Sequence, residues 1–454
     1  MFRGEVVRAL VARAVGAVWG PRRRAPLAIV AAGFLLFVAA LAASKIPRPY
    51  QYSSALTFSD PAMTMISTMV ERGDLWGASA RAESSYRLDR PGGLMALRRF
   101  SILVLRRGLE EYDGYERCYV TSALAAAGDS GEITQLERIF QSTTSFDLKM
   151  AAADGLGDVG DADAVHALER LYDATEPEYK RLLVIGASEA ADYGAVGLLS
   201  RALAGSDHVT RLTAAKGLAQ FDGWRSHRVL RQFMSASRDA FERATAAYAL
   251  ARLGDRSGRE VAVATLRGHD DDEARAMAAL ALGRAGDPVV VPMLQAALRD
   301  RNLDVRLAAA VALTHYGEPA GGAYLKAAMR DEDPFTRLHL GQLLDEVAFS
   351  KARDVVMAAV ASPDPELALQ GIHAIGLGGN VGDVRLLVAL AEQEADPFAR
   401  AEAAWALGRV GGGNAVGPLI AMVSDPDHAV RYTAADALDR TVLRLLEGRT
   451  SGRI

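Results

Sequence analysis

One short phrase recurs eleven times along this chain: an acidic or amide cap, a basic residue, a run of small side chains, a leucine and a glycine. It is plain in Asn302–Gly317 (NLDVRLAAAVALTHYG), Asp396–Gly411 (DPFARAEAAWALGRVG) and Asp239–Gly254 (DAFERATAAYALARLG). The basic positions are Arg117, Lys149, Arg181, Arg211, Arg243, Arg275, Arg306, Arg337, Arg400 and Arg431, with Ala368 in the slot of the one unit that lacks a base; the spacing is 30–32 residues. A fixed period of this length means that each unit is one helical hairpin, which buries its apolar face only by stacking on its neighbours. The expected fold class is all-α, an α-solenoid of about eleven hairpins. With helix layers about 8–10 Å apart, an open array of this size spans roughly 100 Å.

Each unit reads as a first helix from the cap and base, a glycine turn, a second helix and a short acidic loop. The second helix is visible in Val289–Leu298 and Ala415–Val423. Asp at the first helix's start satisfies orphan amides and suits the positive end of the helix dipole. Glycine near its end suits a left-handed C-cap. The phrase Asp-x-x-(Val/Ala)-Arg-x-x-Ala-Ala-x-Ala-Leu-Gly, with Pro-x-Leu following, is fitted closely by Asp427–Leu438 and Asp271–Gly286. These phrases resemble HEAT-like repeats of the short bacterial bilin-lyase type, over residues 113–445. The resemblance implies a protein-binding scaffold. It also leaves open a lyase or chaperone-like protein acting on a tetrapyrrole–protein pair, and a structural spacer. Two units depart from the pattern and should be locally irregular. Ser188 replaces the leucine in Arg181–Ala191, and the glycine is lost in Arg337–Val347.

Counting each first helix from its basic residue as zero, positions +3, +4 and +7 share one face. They carry small residues and leucine, as in Ala309, Ala310 and Leu313, and form the stacking face. Positions +2, +5 and +9 point the other way, toward the concave side expected of such an array. At +5 the middle units carry the bulky side chains Tyr248, Leu280, Val311, His373 and Trp405, flanked at +2 by Met277 and His339. An apolar row in a groove marks a binding surface. These seven residues are the candidate partner-binding site, the partner being a protein. The basic column is expected to bond acidic loop residues such as Asp207, Asp239, Asp333 and Asp427.

Ahead of the array, residues 26–44 (PLAIVAAGFLLFVAALAAS) carry no charge over 19 positions. That length is enough to cross a bilayer. Arginines crowd its amino side, so the expectation is a single-pass membrane protein, with residues 1–25 a basic cytoplasmic tail and the repeats extracytoplasmic. The alternative is a cleaved signal sequence ending near Ala40-Leu41-Ala42, leaving a secreted chain. Residues 45–58 read as a stiff linker with two prolines, 59–112 as capping helices, 113–446 as the solenoid and 447–454 as a tail. Residues 1–50 carry a net charge of +7 against −4 for the whole chain, so the rest is acidic and a poor match for nucleic acid.

Catalytic signatures do not emerge. Gly155-Leu156-Gly157-Asp158-Val159-Gly160 spells GxGxxG but follows a helix, not a strand, and reads as a helix C-cap. His269–Glu273 (HDDDE) falls on an ordinary acidic cap, and none of the eight histidines precedes a glutamate. The single Cys118 excludes an internal disulfide framework and reads as a core residue. The expectation is a chain with no catalysis of its own, no cofactor, no metal and no small-molecule substrate. Arg98, Arg99, Arg106 and Arg107 could meet lipid phosphates or form a solvated helix face.

Overall fold

The computed structural model describes residues 61–88, 90–331, 334–393 and 396–450. Among them are 24 α-helices joined by short turns and 3-10 segments, and no strand. The residues fall into two units, 1–59 and 60–454, and the second holds the whole repeat array. The segment 26–44 and the tail and linker around it lie outside the described residues. Among the described residues no helix is long and apolar enough to cross a membrane, which corrects the expectation of a single-pass membrane protein.

The first helices of the eleven units are Gly114–Ala126, Phe146–Val159, Lys180–Glu189, His208–Leu218, Ala240–Arg252, Asp272–Arg284, Leu303–His315, Pro334–Leu343, Pro365–Gly378, Pro397–Val410 and His428–Thr450. Each packs on the next in chain order, and the second helices form a separate layer beside them. The stacking face is the small-residue face. Ala309, Ala310 and Leu313 are fully buried, as are Ala403, Ala404 and Leu407. Where even a methyl group would be too much, glycine appears. A Cβ on Gly157 would lie 2.5 Å from the Gly186 carbonyl oxygen, and one on Gly186 would lie 2.3 Å from that of Ala153. Within Gly155–Gly160, then, only Gly160 is a C-cap, with φ of 60°; the other two glycines lie inside helix Phe146–Val159.

The caps and bases form one repeated joint. The carboxylates of Asp207, Asp239 and Asp271 accept from the backbone amides of Thr210, Glu242 and Ala274 at 2.7, 2.8 and 3.1 Å. Nη1 of Arg211, Arg275 and Arg306 donates to two carbonyls of the loop just before its helix. Nε of Arg211, Arg275, Arg337 and Arg400 donates to Glu242, Asp300, Asp364 and Asp425, acids at or just before the start of the next unit. At these four joints the column base is mortar between units, whereas Arg306 turns its Nε to Tyr324 and Lys149 donates to the Phe140 carbonyl.

The array does not remain open. Helix Arg90–Glu111, which precedes the first unit, packs against both that unit and the last helix, His428–Thr450. The circuit of first helices therefore closes on itself, and the expected open span of an arc is corrected. At the seam Tyr432 Oη donates to Glu111 at 3.0 Å, the hydroxyls of Ser79 and Ser424 lie 3.2 Å apart, and Arg98 Nε donates to the buried Asp439 at 3.3 Å. Gly108 admits the Tyr432 ring, since a Cβ there would lie 2.9 Å from it. Tyr112 meets the same ring edge-on, centroids 5.2 Å apart. Of the arginines of this helix, Arg98 closes the seam, Arg107 donates to the Val70 carbonyl and to Glu111, and Arg106 pairs with Asp129.

Candidate inner-surface site

Closure turns positions +5 and +9 of the first helices toward a shared interior. Residues three units apart meet there. Tyr248, at +5, donates its hydroxyl to Glu346, at +9 of a unit 98 residues away. Arg252 and Arg284, both at +9, pair with the same carboxylate at 3.4 and 2.7 Å. Glu346 reaches this position because its helix, Pro334–Leu343, stops short and gives way to the 3-10 turn Leu344–Glu346. That is the unit whose glycine is missing. His315, another +9 residue, lies 2.9 Å from the Glu346 carbonyl. Burial opposes ionisation of Glu346. Arg284, the Tyr248 hydroxyl and Arg252 outweigh it and hold the carboxyl below its usual range. Burial pushes His315 down, and Arg284 adds to the shift.

A second knot lies two helices on. The His373 and Trp405 rings stack 4.5 Å apart and 6° from parallel, and the Arg409 guanidinium lies 5.1 Å from the Trp405 centroid. His373 Nδ1 is 2.7 Å from Glu402, and Nε2 is 3.8 Å from Asp345. The bond to Glu402 raises the His373 pKa against the effect of burial. Loss of hydration raises that of Asp345.

On the far wall, carboxylates from neighbouring helices crowd together. Asp154, at +5, is pushed up to about 6, by burial first and Asp158 next. Glu189 is pushed up to about 7, by lost hydration first and then by Asp154 and Asp158. Arg440 counters the rise at Asp158 and itself pairs with Asp436 at 2.9 Å. No group of three or more His, Cys, Asp or Glu is placed to hold a metal ion among the described residues. Cys118 is buried, and burial pushes its thiol up to about 11.

The seven candidate residues divide. Tyr248, Met277, Leu280 and Val311 are buried in one core cluster, at 4, 8, 8 and 0 % exposure. Curvature draws their helices together and makes this stretch packing. His339, His373 and Trp405 remain half-buried. His339 is held by Asp304, and His373 and Trp405 hold each other. Beyond them Leu377, at +9, is 45 % exposed. The +9 column supplies none of the seven candidates, yet its Asp158, Arg252, Arg284, His315, Glu346, Arg409 and Arg440 are charged or ionisable side chains on an inward face. That pattern is visible in the sequence; which of them meet is not.

Residues 259–344, 323–408 and 384–442 match the family model for HEAT repeats. No curated protein matches the chain. Among solved structures, human deoxyhypusine hydroxylase in complex with glycerol is 21% identical, covering 54% of this chain and 95% of its own, with a TM-score of 0.25. The complex of CpcE and CpcF of phycocyanin lyase from Nostoc sp. PCC7120 is 18% identical, covering 60% and 91%, TM-score 0.34. YibA of E. coli is 16% identical, covering 58% and 97%, TM-score 0.28. The hydroxylase and the lyase are enzymes, and this removes the ground for expecting a chain without catalysis; the likeness itself is one of fold. Residues 259–442 thus carry HEAT repeats, and stacked helical hairpins of the same kind run through the rest of the array.

Proposed function

We propose that this chain is a protein-binding scaffold whose partner rests on the inner surface at Pro365–Gly378 and Pro397–Val410. The observation that carries the reading is the Trp405 cluster. A half-buried indole stacks on His373 and meets the Arg409 guanidinium, and Leu377 on the neighbouring helix is exposed, on a wall otherwise dense with charge. Trp and Arg are enriched among interface hot spots, and Trp buries much area with only two rotatable bonds. His339, His373 and Trp405 contact the partner in this reading. Tyr248, Met277, Leu280 and Val311 shape the wall behind them.

The test places a photo-crosslinking amino acid at position 377 and, separately, at position 224 in the second-helix layer. Both native side chains are exposed. The scaffold reading expects one protein adduct from position 377 in cells and none of that species from position 224. Adding Trp405→Ala should abolish it, for a hot-spot loss of about 2 kcal/mol or more. The same adducts from both positions, or none from 377, would reject the inner surface.

A further inference from the structure

Arg252, Arg284, Arg409 and Arg440 hold position +9 of the inward face, and Arg444 follows Arg440 by one helical turn. Three of these guanidinium groups are matched by carboxylates. Arg252 and Arg284 share Glu346, and Arg440 pairs with Asp436. The other two bond to neutral oxygens. Arg409 Nε donates to the Gly376 carbonyl at 3.3 Å, while Arg444 Nη2 donates to the Gly408 carbonyl and the Thr441 hydroxyl. Among the described residues neither is paired with a carboxylate. Both side chains are exposed, so an incoming group can reach them. Glu447 and Asp436 act on Arg444 from its own helix, yet burial, Arg409 and Arg440 outweigh them and hold its pKa below the ordinary arginine value. Two like charges on neighbouring helices thus act on each other with no anion between them.

One flank of this pair is apolar. The Arg409 guanidinium lies against the Trp405 indole, and Leu377 follows directly on Gly376, whose carbonyl Arg409 holds. We propose that Arg409 and Arg444 receive an aspartate or glutamate side chain of the partner protein, and that an apolar neighbour of that acid lies on Trp405 and Leu377. This rests on the inner-surface reading and names the chemistry of the segment that docks there. A carboxylate matches the planar guanidinium fork, and a bond between two charged groups is roughly twice as strong as the neutral ones these arginines now make. A dianion such as phosphate suits the place less, because Glu402 and Asp345 lie on the His373 ring that stacks on the indole.

The probes are two fluorescein-labelled, end-blocked peptides, Glu-Leu-Glu-Leu-Glu-Leu and Gln-Leu-Gln-Leu-Gln-Leu, titrated against the full chain by fluorescence anisotropy. The acidic peptide should bind saturably, and the amide peptide at least tenfold more weakly. Arg409→Gln with Arg444→Gln should weaken the acidic peptide tenfold or more, and added salt should weaken it progressively. Arg225→Gln with Arg228→Gln, beside the exposed Trp224 of the second-helix layer, should leave it unchanged. If the inner double variant lowers the thermal midpoint, the amide peptide decides, because it requires no change in the protein. No binding of the acidic peptide at millimolar concentration, equal binding of the amide peptide, a loss confined to the outer pair, or displacement by equimolar inorganic phosphate overturns the proposal. The scaffold reading is read separately from position 377. An adduct there that persists in the inner double variant leaves the scaffold standing and removes the acidic contact. No adduct with both arginines in place rejects the scaffold itself.

Discussion

Glu346 concentrates more consequence than any other inward residue. It satisfies Tyr248, Arg252 and Arg284 at once. Removing it takes from two inward guanidinium groups the carboxylate they share. Glu346→Ala should therefore cost about 3–5 kcal/mol, the range for stranding a buried charge, read as a fall in the urea midpoint. Tyr248→Ala should cost about as much, through the cavity it leaves; an unchanged midpoint would return Tyr248 to the binding row. The carboxylates of the far wall act with the opposite sign. Asp154 is raised to about 6 from 3.8, so between those values the folded state holds a proton that the unfolded state has lost. Stability from this group is present at low pH and lost as pH rises through 6. Glu189, raised to about 7, acts in the same direction, as does the raised His373, while the lowered His315 opposes them. Asp154→Asn should raise the thermal midpoint at pH 7.5 and flatten its fall between about pH 4 and 6. A steeper fall in the variant would show that the group is stabilising when charged.

Between elements, the limiting contact is the crossing of Phe146–Val159 with Lys180–Glu189. Gly157 and Gly186 face each other there at backbone distance. Ser188 on the second helix then sits against Gly217 of the next. The run of small residues explains why this unit tolerates losing its leucine: helices this close leave little volume for one. Gly186→Ala should destabilise by about 1–3 kcal/mol through overpacking, although alanine is the better helix former. A neutral or stabilising effect in chemical denaturation would mean that the two helices separate freely.

For unit 60–454 taken whole, closure is the property that matters. An open solenoid has two exposed apolar ends that must be capped. Here helix Arg90–Glu111 serves as the missing neighbour for both the first unit and the last. Ser79 and Ser424, 345 positions apart in the chain, lie in hydroxyl contact. The Ser79→Cys, Ser424→Cys double variant should therefore form an intramolecular disulfide under mild oxidation, seen as a mobility shift on non-reducing gels, and raise the thermal midpoint. Cys118 is buried and should not compete. In an open array these positions would stand far apart, and no crosslink would form.

Local chemistry decided the units. The 30–32 residue period, the Asp caps, the column bases and the Ala–Ala–Leu face are legible in the chain, because each depends on contacts within a unit or to the next one. Helical spacing likewise places +5 and +9 on one inward face. It does not tell that Tyr248 through Val311 are buried while Trp405 stays half open. That depends on a small rotation from unit to unit, summed round the circuit, and no single repeat encodes the sum. Nor does it pair Glu346 with Arg252 and Arg284, or Tyr432 with Glu111. Those contacts form only when helices far apart in the chain are brought together, and only the tertiary structure determines which ones meet.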